Sequence, residues 1–576
     1  MHEKNTRARE GVQLSAAGIA IGVVGCVIIT ASSVYTALKM GALPWPTIFT
    51  SITALVCLRA FGRRSLNEAN VTQIVMSAGS MVAGGLAFTI PGIWMLGLSS
   101  ATSWPEMLSV ALAGTLLGLV CTALIRKRFV DESDLDYPVG TAAAQTLRAS
   151  RAGGRTGRRL FGSMAVAGAW CALRDALGLV PALLLQLPVP GVAFGVYDSP
   201  MMLSVGFLMG GAAAAFWLVG ALVGQLGAVT LASAAGLWTL EAGQGIASSL
   251  GMGLMMGSGA GVIVHDLVPK AARALRASRA GSDGEGAEAL TDVTSRLDRG
   301  ALALLVAAAA LLACFALGLG PVVAAVVVLL SFVTTVMSAQ SVGQTGIDPM
   351  EIFGLIVLLV VAALGGTDQV RLFYVAGVIA VACGVGGDVM SDFKTGALIG
   401  TDPRSMWFGQ VLGSLVGVVV ATATMCALVG AYGTGAFGPG QAFVSAQASV
   451  VATMVSGIPS PAAFGAGLAA GVVLYCLGVP SMMLGLGAYL PLYMTLTGAL
   501  GALAKVAYDR LGSRGRAGAE AGAATGAAAP QPGGETLGGE LSHKDNGIVV
   551  ASGLLGGESV VGVLIALASV VAGLLA

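Results

Sequence analysis

Charged residues are scarce in this chain, and that scarcity decides its class. Only 10% of the 576 residues are Asp, Glu, Lys or Arg, whereas a soluble domain carries about 25%. Apolar residues make up 56%, and the mean hydropathy is +0.86. These values exclude a soluble globular protein and predict an integral membrane protein in contact with a lipid bilayer. The formal net charge of +1 gives no sign of a nucleic-acid partner.

Metal-binding side chains are scarce as well. The eight cysteines are scattered singly, without a CxxC pair, and the three histidines are His2, His265 and His543. This spacing does not predict a zinc, haem or iron–sulfur site, so we expect no cofactor and no metal ligand. We also expect no cleavable signal peptide, because the polar residues 1–13 lead into an apolar run long enough to span a membrane.

The apolar segments are long enough to cross a bilayer as helices, and 85 glycines suit closely packed membrane helices. We therefore predict an all-α, polytopic transmembrane bundle of about 14–16 spans with discontinuous helices. Basic clusters such as Arg126-Lys127-Arg128 place their loops in the cytoplasm. We predict a cytoplasmic N-terminal tail (1–13), a first transmembrane repeat (14–269), a cytoplasmic linker (270–299) and a second transmembrane repeat (300–576). The second repeat includes a flexible low-complexity loop (512–545).

Two segments have unusual polar residues. Leu66 to Ser100 begins with a polar stretch and is broken at Pro91-Gly92, a pattern typical of a discontinuous helix. Leu160 to Gln186 is predicted to cross outward and contains Arg174-Asp175. Neighbouring helical residues point about 100° apart, so these two need not pair, and both a structural ion pair and a transport role remain open.

The positions of several glycine, proline and glutamine residues repeat after about 300 residues. Gly41-x-x-Pro44 matches Gly346-x-x-Pro349, an offset of 305 (349 − 44), and Gly79 matches Gly384 at the same offset (384 − 79). Further matches join Pro138 with Pro439, Gln145 with Gln447, and residues 245–248 with 547–550. We predict an internal two-fold repeat, which transporters commonly show. Loop charges leave open whether its halves are parallel or inverted.

The segment Gly384 to Arg404 carries the densest charge within an apolar context. Asp388, Asp392 and Lys394 lie within seven positions, and each charge costs about 2.5–3.5 kcal/mol at the centre of a lipid-facing helix. They must therefore face water, protein or each other. Asp388 and Asp392 are four positions apart and share one helical face. We assign them as proton or cation sites with Lys394 as their counter-ion; a structural ion triad is the alternative.

Other candidates are polar residues in apolar surroundings. Glu68 is either a substrate or proton site or an acid at a helix start. Glu558, the sole carboxylate of the last apolar segment, is predicted to face the cavity as a substrate or proton site. Gln73, Gln340 and Gln344 lie at helix breaks, where they can bind substrate or satisfy free backbone groups.

Three of these motifs resemble the oligopeptide transporter (OPT) family, on its bacterial branch near the yellow-stripe-like metal-chelate transporters. They are Asn67 to Gln73, Gln340 to Pro349 and, above all, Gly387 to Gly396 with Pro403-Arg404. The resemblance implies a bundle of about sixteen membrane helices that imports oligopeptides or metal chelates with protons. The element Tyr137 to Thr141 departs from the family pattern, because Val139 stands where bacterial relatives often have Glu. We assign no binding role to that position.

The predicted function is therefore proton-coupled import of oligopeptides or peptide-like metal chelates across the inner (plasma) membrane. A passive channel or facilitator for small polar solutes is the alternative, since a channel also places polar groups at broken helices. An intramembrane aspartyl protease, with a Gly-x-Gly-Asp motif, is disfavoured because position 385 is Val. We thus expect a transporter and not an enzyme. The oligomeric state is left open, a homo-oligomer included.

Overall fold

The structure, a computed structural model, is a bundle of α-helices with one short β-hairpin. It describes residues 13–40, 43, 47–98, 103–133, 135, 137–150, 155–209, 211–261, 264–265, 299–346, 348–365, 368–456, 458–523 and 543–575.

The elements of the first half are α1 Ala16–Met40, α2 Thr47–Ala60, α3 Leu66–Ser77, α4 Gly79–Ala87, α5 Pro91–Met95, α6 Trp104–Arg126, α7 Pro138–Ser150, α8 Arg155–Cys171, β1 Leu183–Val189, β2 Val192–Tyr197, α9 Pro200–Met209, α10 Gly211–Ala221, α11 Ala232–Ala234 and α12 Leu240–Gly261. Wider π-helical turns continue α6, α8 and α10 at Lys127–Asp131, Ala172–Ala176 and Leu222–Leu231.

The second half contains α13 Arg299–Leu311, α14 Gly320–Thr345, α15 Met350–Ala363, α16 Gln369–Ile399, α17 Pro403–Tyr432, α18 Ala446–Ser456, α19 Pro461–Cys476, α20 Ser481–Tyr489, α21 Leu492–Ala523 and α22 His543–Leu575. A π-helical turn, Leu312–Ala316, continues α13, and a short 3₁₀ turn, Thr434–Ala436, follows α17.

The predicted polytopic helical fold is confirmed. Within the described residues, seven helical stretches are long and apolar enough to cross a membrane: Ala16–Lys39, Leu66–Met95, Trp104–Asp131, Gly211–Ala234, Gly320–Gly343, Gln369–Ile399 and Pro403–Tyr432. Shorter apolar helices accompany them. The segment Leu66–Met95 is discontinuous, as its sequence predicts, because it is divided into α3, α4 and α5.

Capping side chains fix the ends of the central helices. The carboxylate of Asp368 accepts a hydrogen bond from the amide of Arg371 at the start of α16, and Asp402 does the same for Ser405 at the start of α17. Gly400, with a φ of 85°, ends α16 in the left-handed region that glycine favours. α16 is continuous between these caps, so its glycines serve close packing and do not unwind it.

The region after α8 differs from the predicted span. Helical structure stops at Ala176, and Leu183 to Tyr197 form an antiparallel hairpin instead of the outer end of a crossing helix. Its strands are joined at Pro190-Gly191, where Gly191 takes a φ of 75°. Proline followed by glycine suits such a tight turn, and this short signal was outweighed by the apolar composition of the segment.

The two halves repeat the same order of packed helices. α8 packs on α22 as α19 packs on α12, and α9 packs on α21 as α20 packs on α10. The register follows from glycine contacts. Gly114 of α6 lies against the carbonyl of Val378 in α16, and Gly413 of α17 lies against the carbonyl of Val75 in α3. These are the same contact in the two halves, so Val75 and Val378 are equivalent residues, 303 positions apart (378 − 75).

This register corrects one of the sequence matches. Gly79 lies against Gly417, while Ala382 lies against Gly118, so the structural equivalent of Gly79 is Ala382 and not Gly384. Glycine recurs so often in this chain that an alignment of glycines alone slipped by two positions.

The repeat is inverted. The segment α3 to α5 and its equivalent α16 cross antiparallel, because residue numbers rise along one as they fall along the other. Gln73 contacts Asp392, Gly85 lies against Val381, and Gly92 lies against Phe373. Equivalent helices of a parallel repeat would run in the same direction through the membrane. Their antiparallel crossing therefore shows that the repeat is inverted, a question that the loop charges left open.

The predicted domain boundaries stay predictions. Most of the predicted linker, residues 270–298, lies outside the described residues. The first pair of equivalent helices in the two halves is α1 and α14. Helix α13 therefore lies between the two repeats. At the other end, α21 continues to Ala523 within the segment predicted as a flexible loop, and residues 524–542 are outside the described part.

Candidate functional site

A cluster of buried carboxylates lies where α16 crosses α3 and α17. Asp388 and Asp392 lie one turn apart on α16, and their exposed fractions are 0% and 2%. Each accepts a hydrogen bond from a glutamine amide on a neighbouring helix. Gln73 of α3 donates to Oδ1 of Asp392 at 2.9 Å, and Gln410 of α17 donates to Oδ2 of Asp388 at 3.1 Å. The predicted shared face is therefore correct, and Gln73 belongs to the same site.

The sequence analysis missed two members of this cluster. Gln410 is fully buried and lies in an apolar helix without any local motif. Asp348 precedes α15, accepts a hydrogen bond from Ser338 Oγ at 2.8 Å, and has its other oxygen beside Gly387. Asp348 could have been predicted, because it is the acid of the Gly346 to Pro349 break, but the sequence analysis assigned only the glutamines before that break, Gln340 and Gln344.

Each of the three carboxylates keeps one oxygen without a protein partner. Among the described residues, Oδ2 of Asp348, Oδ1 of Asp388 and Oδ2 of Asp392 are buried and accept no hydrogen bond. Burying an ionised carboxylate that is incompletely bonded is costly. A proton on such an oxygen removes the charge and adds a donor. The arrangement can therefore bind and release protons, and no group of three or more His, Cys, Asp or Glu among the described residues is placed to hold a metal ion.

Lys394 is not the counter-ion of this cluster. Its Nζ donates to the carbonyl oxygen of Leu135 at 2.7 Å, and none of the ion pairs found among the described residues joins it to Asp388 or Asp392. Residue 394 is two positions beyond 392, so its side chain leaves the helix about 200° away from that of Asp392. The predicted triad was therefore wrong in its third member, which reaches the segment before α7.

Glu68 occupies the first turn of α3. Ser65 caps this helix by accepting from the amide of Glu68, while Arg63 donates to the carboxylate at 2.6 Å and Ser15 donates to the same oxygen. The side chain is 5% exposed and Arg63 is 40% exposed. This environment is that of an acid at a helix start, which was the structural alternative in the sequence analysis.

The other two glutamines lie in the last turns of α14. Gln340 is half-buried there, and the side chain of Gln344 lies outside the described residues. Gly346, with a φ of 73°, ends the helix directly after them. The predicted helix break is thus correct, and a substrate contact of either glutamine stays a prediction.

Glu558 has a complete set of partners, unlike the three aspartates. Arg174 donates to Oε1 at 2.8 Å, Ser199 Oγ lies 2.9 Å from both oxygens, and the amide of Met201 donates to Oε2 at 2.8 Å. Arg174 also pairs with Asp175 at 2.7 Å, so the two neighbours do pair. We infer a structural network that ties α22 to the end of α8 and the start of α9. Its partners are more than 350 positions from Glu558, so no local pattern announces them.

The two ends of α16 are in different environments. Near its C-terminal end, Thr395 Oγ1 donates to the carbonyl of Gly140 in α7 at 2.8 Å, and Arg148 of α7 donates to the carbonyl of Leu398. Near its N-terminal end, Phe373 lies beside Gly92, which also contacts the carbonyl of Ala448 in α18, the equivalent of α7. A cavity of about 730 Å³ lies at the α18 end, between helices of both halves.

We predict that Gly387→Ala disturbs the carboxylate cluster. A methyl group on residue 387 would lie 2.7 Å from Oδ2 of Asp348, so the carboxylate or the helix must shift. Such overpacking costs about 1–3 kcal/mol, and we expect the initial rate of uptake into proteoliposomes to fall about tenfold at equal protein content.

The equivalent glycine provides the control for this prediction. Gly84 lies 303 positions earlier (387 − 84), and a methyl group there meets the flexible ends of Met350 and Leu43 at 2.8 and 2.9 Å. Gly84→Ala should keep uptake within about threefold of the wild type, because those side chains can move. Equal losses in both variants would show that Asp348 is not the reason for the glycine at 387.

Sequence comparisons relate this chain to known transporters. A stretch of 116 residues is 33% identical to a putative oligopeptide transporter of Haemophilus influenzae and covers 20% of this chain and 18% of that protein. Stretches of 107 residues are 37% identical to the metal-nicotianamine transporter YSL2 of Oryza sativa subsp. japonica and to that of Arabidopsis thaliana, each covering 17% of this chain and 15% of the relative. These alignments thus span less than a fifth of the relatives' length. The model of the family described as OPT oligopeptide transporter protein matches residues 13–569, and the chain therefore belongs to this family of membrane transporters, which are not enzymes.

Proposed function

We propose that this protein is a proton-coupled transporter that imports oligopeptides or peptide-like metal chelates across the inner (plasma) membrane. The observation that carries the proposal is the cluster of Asp348, Asp388 and Asp392, in which Asp388 and Asp392 are buried, Asp348 is half-buried, and all three are bonded to amides or a hydroxyl instead of cations. Ionisable residues inside membrane bundles are expensive and mark ion pathways. One proton crossing a potential of 100 mV supplies about 2.3 kcal/mol, so one or two protons suffice for substantial accumulation.

The inverted repeat supports alternating access over a continuous pore. The α7 end of the bundle is held to α16 by Thr395 and Arg148, whereas the α18 end borders a large cavity. Basic residues mark the α7 side as cytoplasmic, so the structure corresponds to a state open to the outside. Exchange of the α7 and α18 arrangements between the halves would produce the inward-open state.

The carboxylate cluster and the α7 contacts share one stretch of α16. Asp392 is followed within three positions by Lys394 and Thr395, which bind the carbonyls of Leu135 and Gly140. A change in the charge of Asp392 can therefore alter the bonds that hold α7 closed, which links proton binding to access from the cytoplasm.

Reconstituted transport tests this proposal directly. Proteoliposomes would be given a mixed pool of di- to pentapeptides, or iron loaded on nicotianamine, with and without a pH gradient that is acidic on the side of substrate addition. We expect accumulation only with the gradient. Equilibration of solute without any gradient dependence would favour the passive channel or facilitator and would make the aspartates structural residues.

A further inference from the structure

The cavity at the α18 end is large enough for a ligand and is lined by both halves of the protein. Its volume of about 730 Å³ is within the range of small-molecule sites. It lies between the two halves, since Met252 of α12 and Met95 at the end of α5 face it from one half and Thr453 of α18 and Tyr489 of α20 from the other. A substrate entering from the α18 end would meet this cavity before the aspartate cluster.

One charge faces this cavity. Among the described residues that line it, only Glu241 has a carboxyl group, and none is Lys, Arg or His. Glu241 lies in the first turn of α12 and is exposed, and no ion pair to it occurs within the described part of the chain. The described lining therefore carries one acidic carboxyl group and no basic side chain.

The uncharged polar groups of the lining also act as acceptors. Gln225 and Gln244 each donate one amide hydrogen, to the carbonyls of Ala488 and Gly191 at 2.9 and 3.0 Å, which leaves each side chain its Oε1 acceptor and a second N–H. The hydroxyl of Thr453 is likewise committed, because it donates to a carbonyl of its own helix at 2.8 Å.

Two of the three serines of the lining also bond to backbone carbonyls. Ser248 Oγ donates to the carbonyl of Gly245 at 3.1 Å, and Ser449 Oγ donates to that of Ser445 at 3.2 Å. The hydroxyls of Ser248, Ser449 and Thr453 thus donate to the backbone and keep lone pairs for a ligand. With one carboxyl group and no basic side chain in the described lining, the cavity suits a ligand that carries positive charge and hydrogen-bond donors.

We propose that this cavity is an entry subsite that binds the free ammonium end of a short peptide, with Glu241 as its charge partner. The proposal rests on the transport function proposed above and selects within its substrate class. The cavity favours peptides with an unblocked N-terminus and disfavours chelates whose exposed groups are carboxylates, because its described lining offers those groups no basic side chain.

Equilibrium binding to the purified full-length protein in nanodiscs tests the subsite without any proton gradient. The probes are trialanine, N-acetyl-trialanine and iron(II)–nicotianamine. An ion pair to an exposed carboxylate is weak, so we expect acetylation to raise the Kd about two- to fivefold. Glu241→Gln should raise the Kd of trialanine by about the same factor and leave that of the acetylated peptide unchanged.

Glu106→Gln is the matched control, because Glu106 is also an acid in the first turn of a helix, although half-buried, and does not line the cavity. It should leave the Kd of trialanine unchanged. Equal Kd values for the free and acetylated peptides, no effect of Glu241→Gln, or binding of the chelate without binding of trialanine would each overturn the subsite.

The outcomes separate the subsite from the transport proposal. Binding of trialanine that depends on Glu241, without gradient-driven accumulation, would support the subsite and refute proton coupling. Gradient-driven accumulation of peptides that is insensitive to acetylation and to Glu241→Gln would refute the subsite and support the transport function.

Discussion

Replacement of Asp392 by asparagine is expected to abolish gradient-driven accumulation of substrate while the protein stays folded in the membrane. Asparagine keeps the shape of the side chain and an oxygen that can accept the 2.9 Å hydrogen bond from Gln73. It cannot bind and release a proton. One coupled proton at 100 mV corresponds to about 2.3 kcal/mol, or about a fiftyfold accumulation ratio, and this factor should be lost.

The measurement is the accumulation ratio in proteoliposomes with a fixed potential and pH gradient, together with exchange of labelled for unlabelled substrate. We expect exchange to persist in Asp392→Asn, because exchange needs substrate binding and alternating access but no net proton movement. Asp509→Asn is the control, since Asp509 lies on α21 outside the carboxylate cluster. Normal accumulation by Asp392→Asn would refute the assignment of Asp392 as a proton site.

Removal of Arg174 is expected to destabilise the fold. Arg174→Met leaves Glu558, which is 0% exposed, without the cation 2.8 Å away and leaves Asp175 without its partner. Removing one member of a buried ion pair costs about 3–5 kcal/mol. The variant should therefore yield much less folded protein and a clearly lower Tm, measured by thermal unfolding in detergent.

A double variant distinguishes a structural role from a role in transport. Arg174→Met with Glu558→Gln removes both charges, and the glutamine can still accept from Ser199 and from the amide of Met201. We expect it to regain part of the lost stability and to keep proton-coupled uptake. A stable double variant that has lost coupling would instead place Glu558 on the proton pathway.

The sequence predicted the chemistry of α16 but only part of its surroundings. The spacing of Asp388 and Asp392 fixed their common face because helical periodicity is local. The position of Lys394 relative to that face followed from the same periodicity, yet the nearness of opposite charges in sequence favoured an ion triad. The structure gives Lys394 another partner, the carbonyl of Leu135, which is 259 positions away in sequence.

Long-range contacts explain the other differences. Glu558 looked like a cavity residue because its own segment offers no partner, and Arg174, Ser199 and Met201 come from distant elements. Gln410 carried no signal because one amide in an apolar helix is compatible with many roles. Asp348 could have been predicted, because it is an acid at a helix break. It was overlooked because the site was assigned to the nearby glutamines.

By itself, the sequence determined the membrane class, the helical fold, the family and the pair of carboxylates on α16. These properties depend on composition and short-range periodicity, which every segment carries within itself. Only the tertiary structure decided that the repeat is inverted, that three aspartates meet without a cation, and that Glu558 is held by Arg174. These properties depend on which helices cross and in which direction, and such contacts are set by the packing of segments hundreds of residues apart.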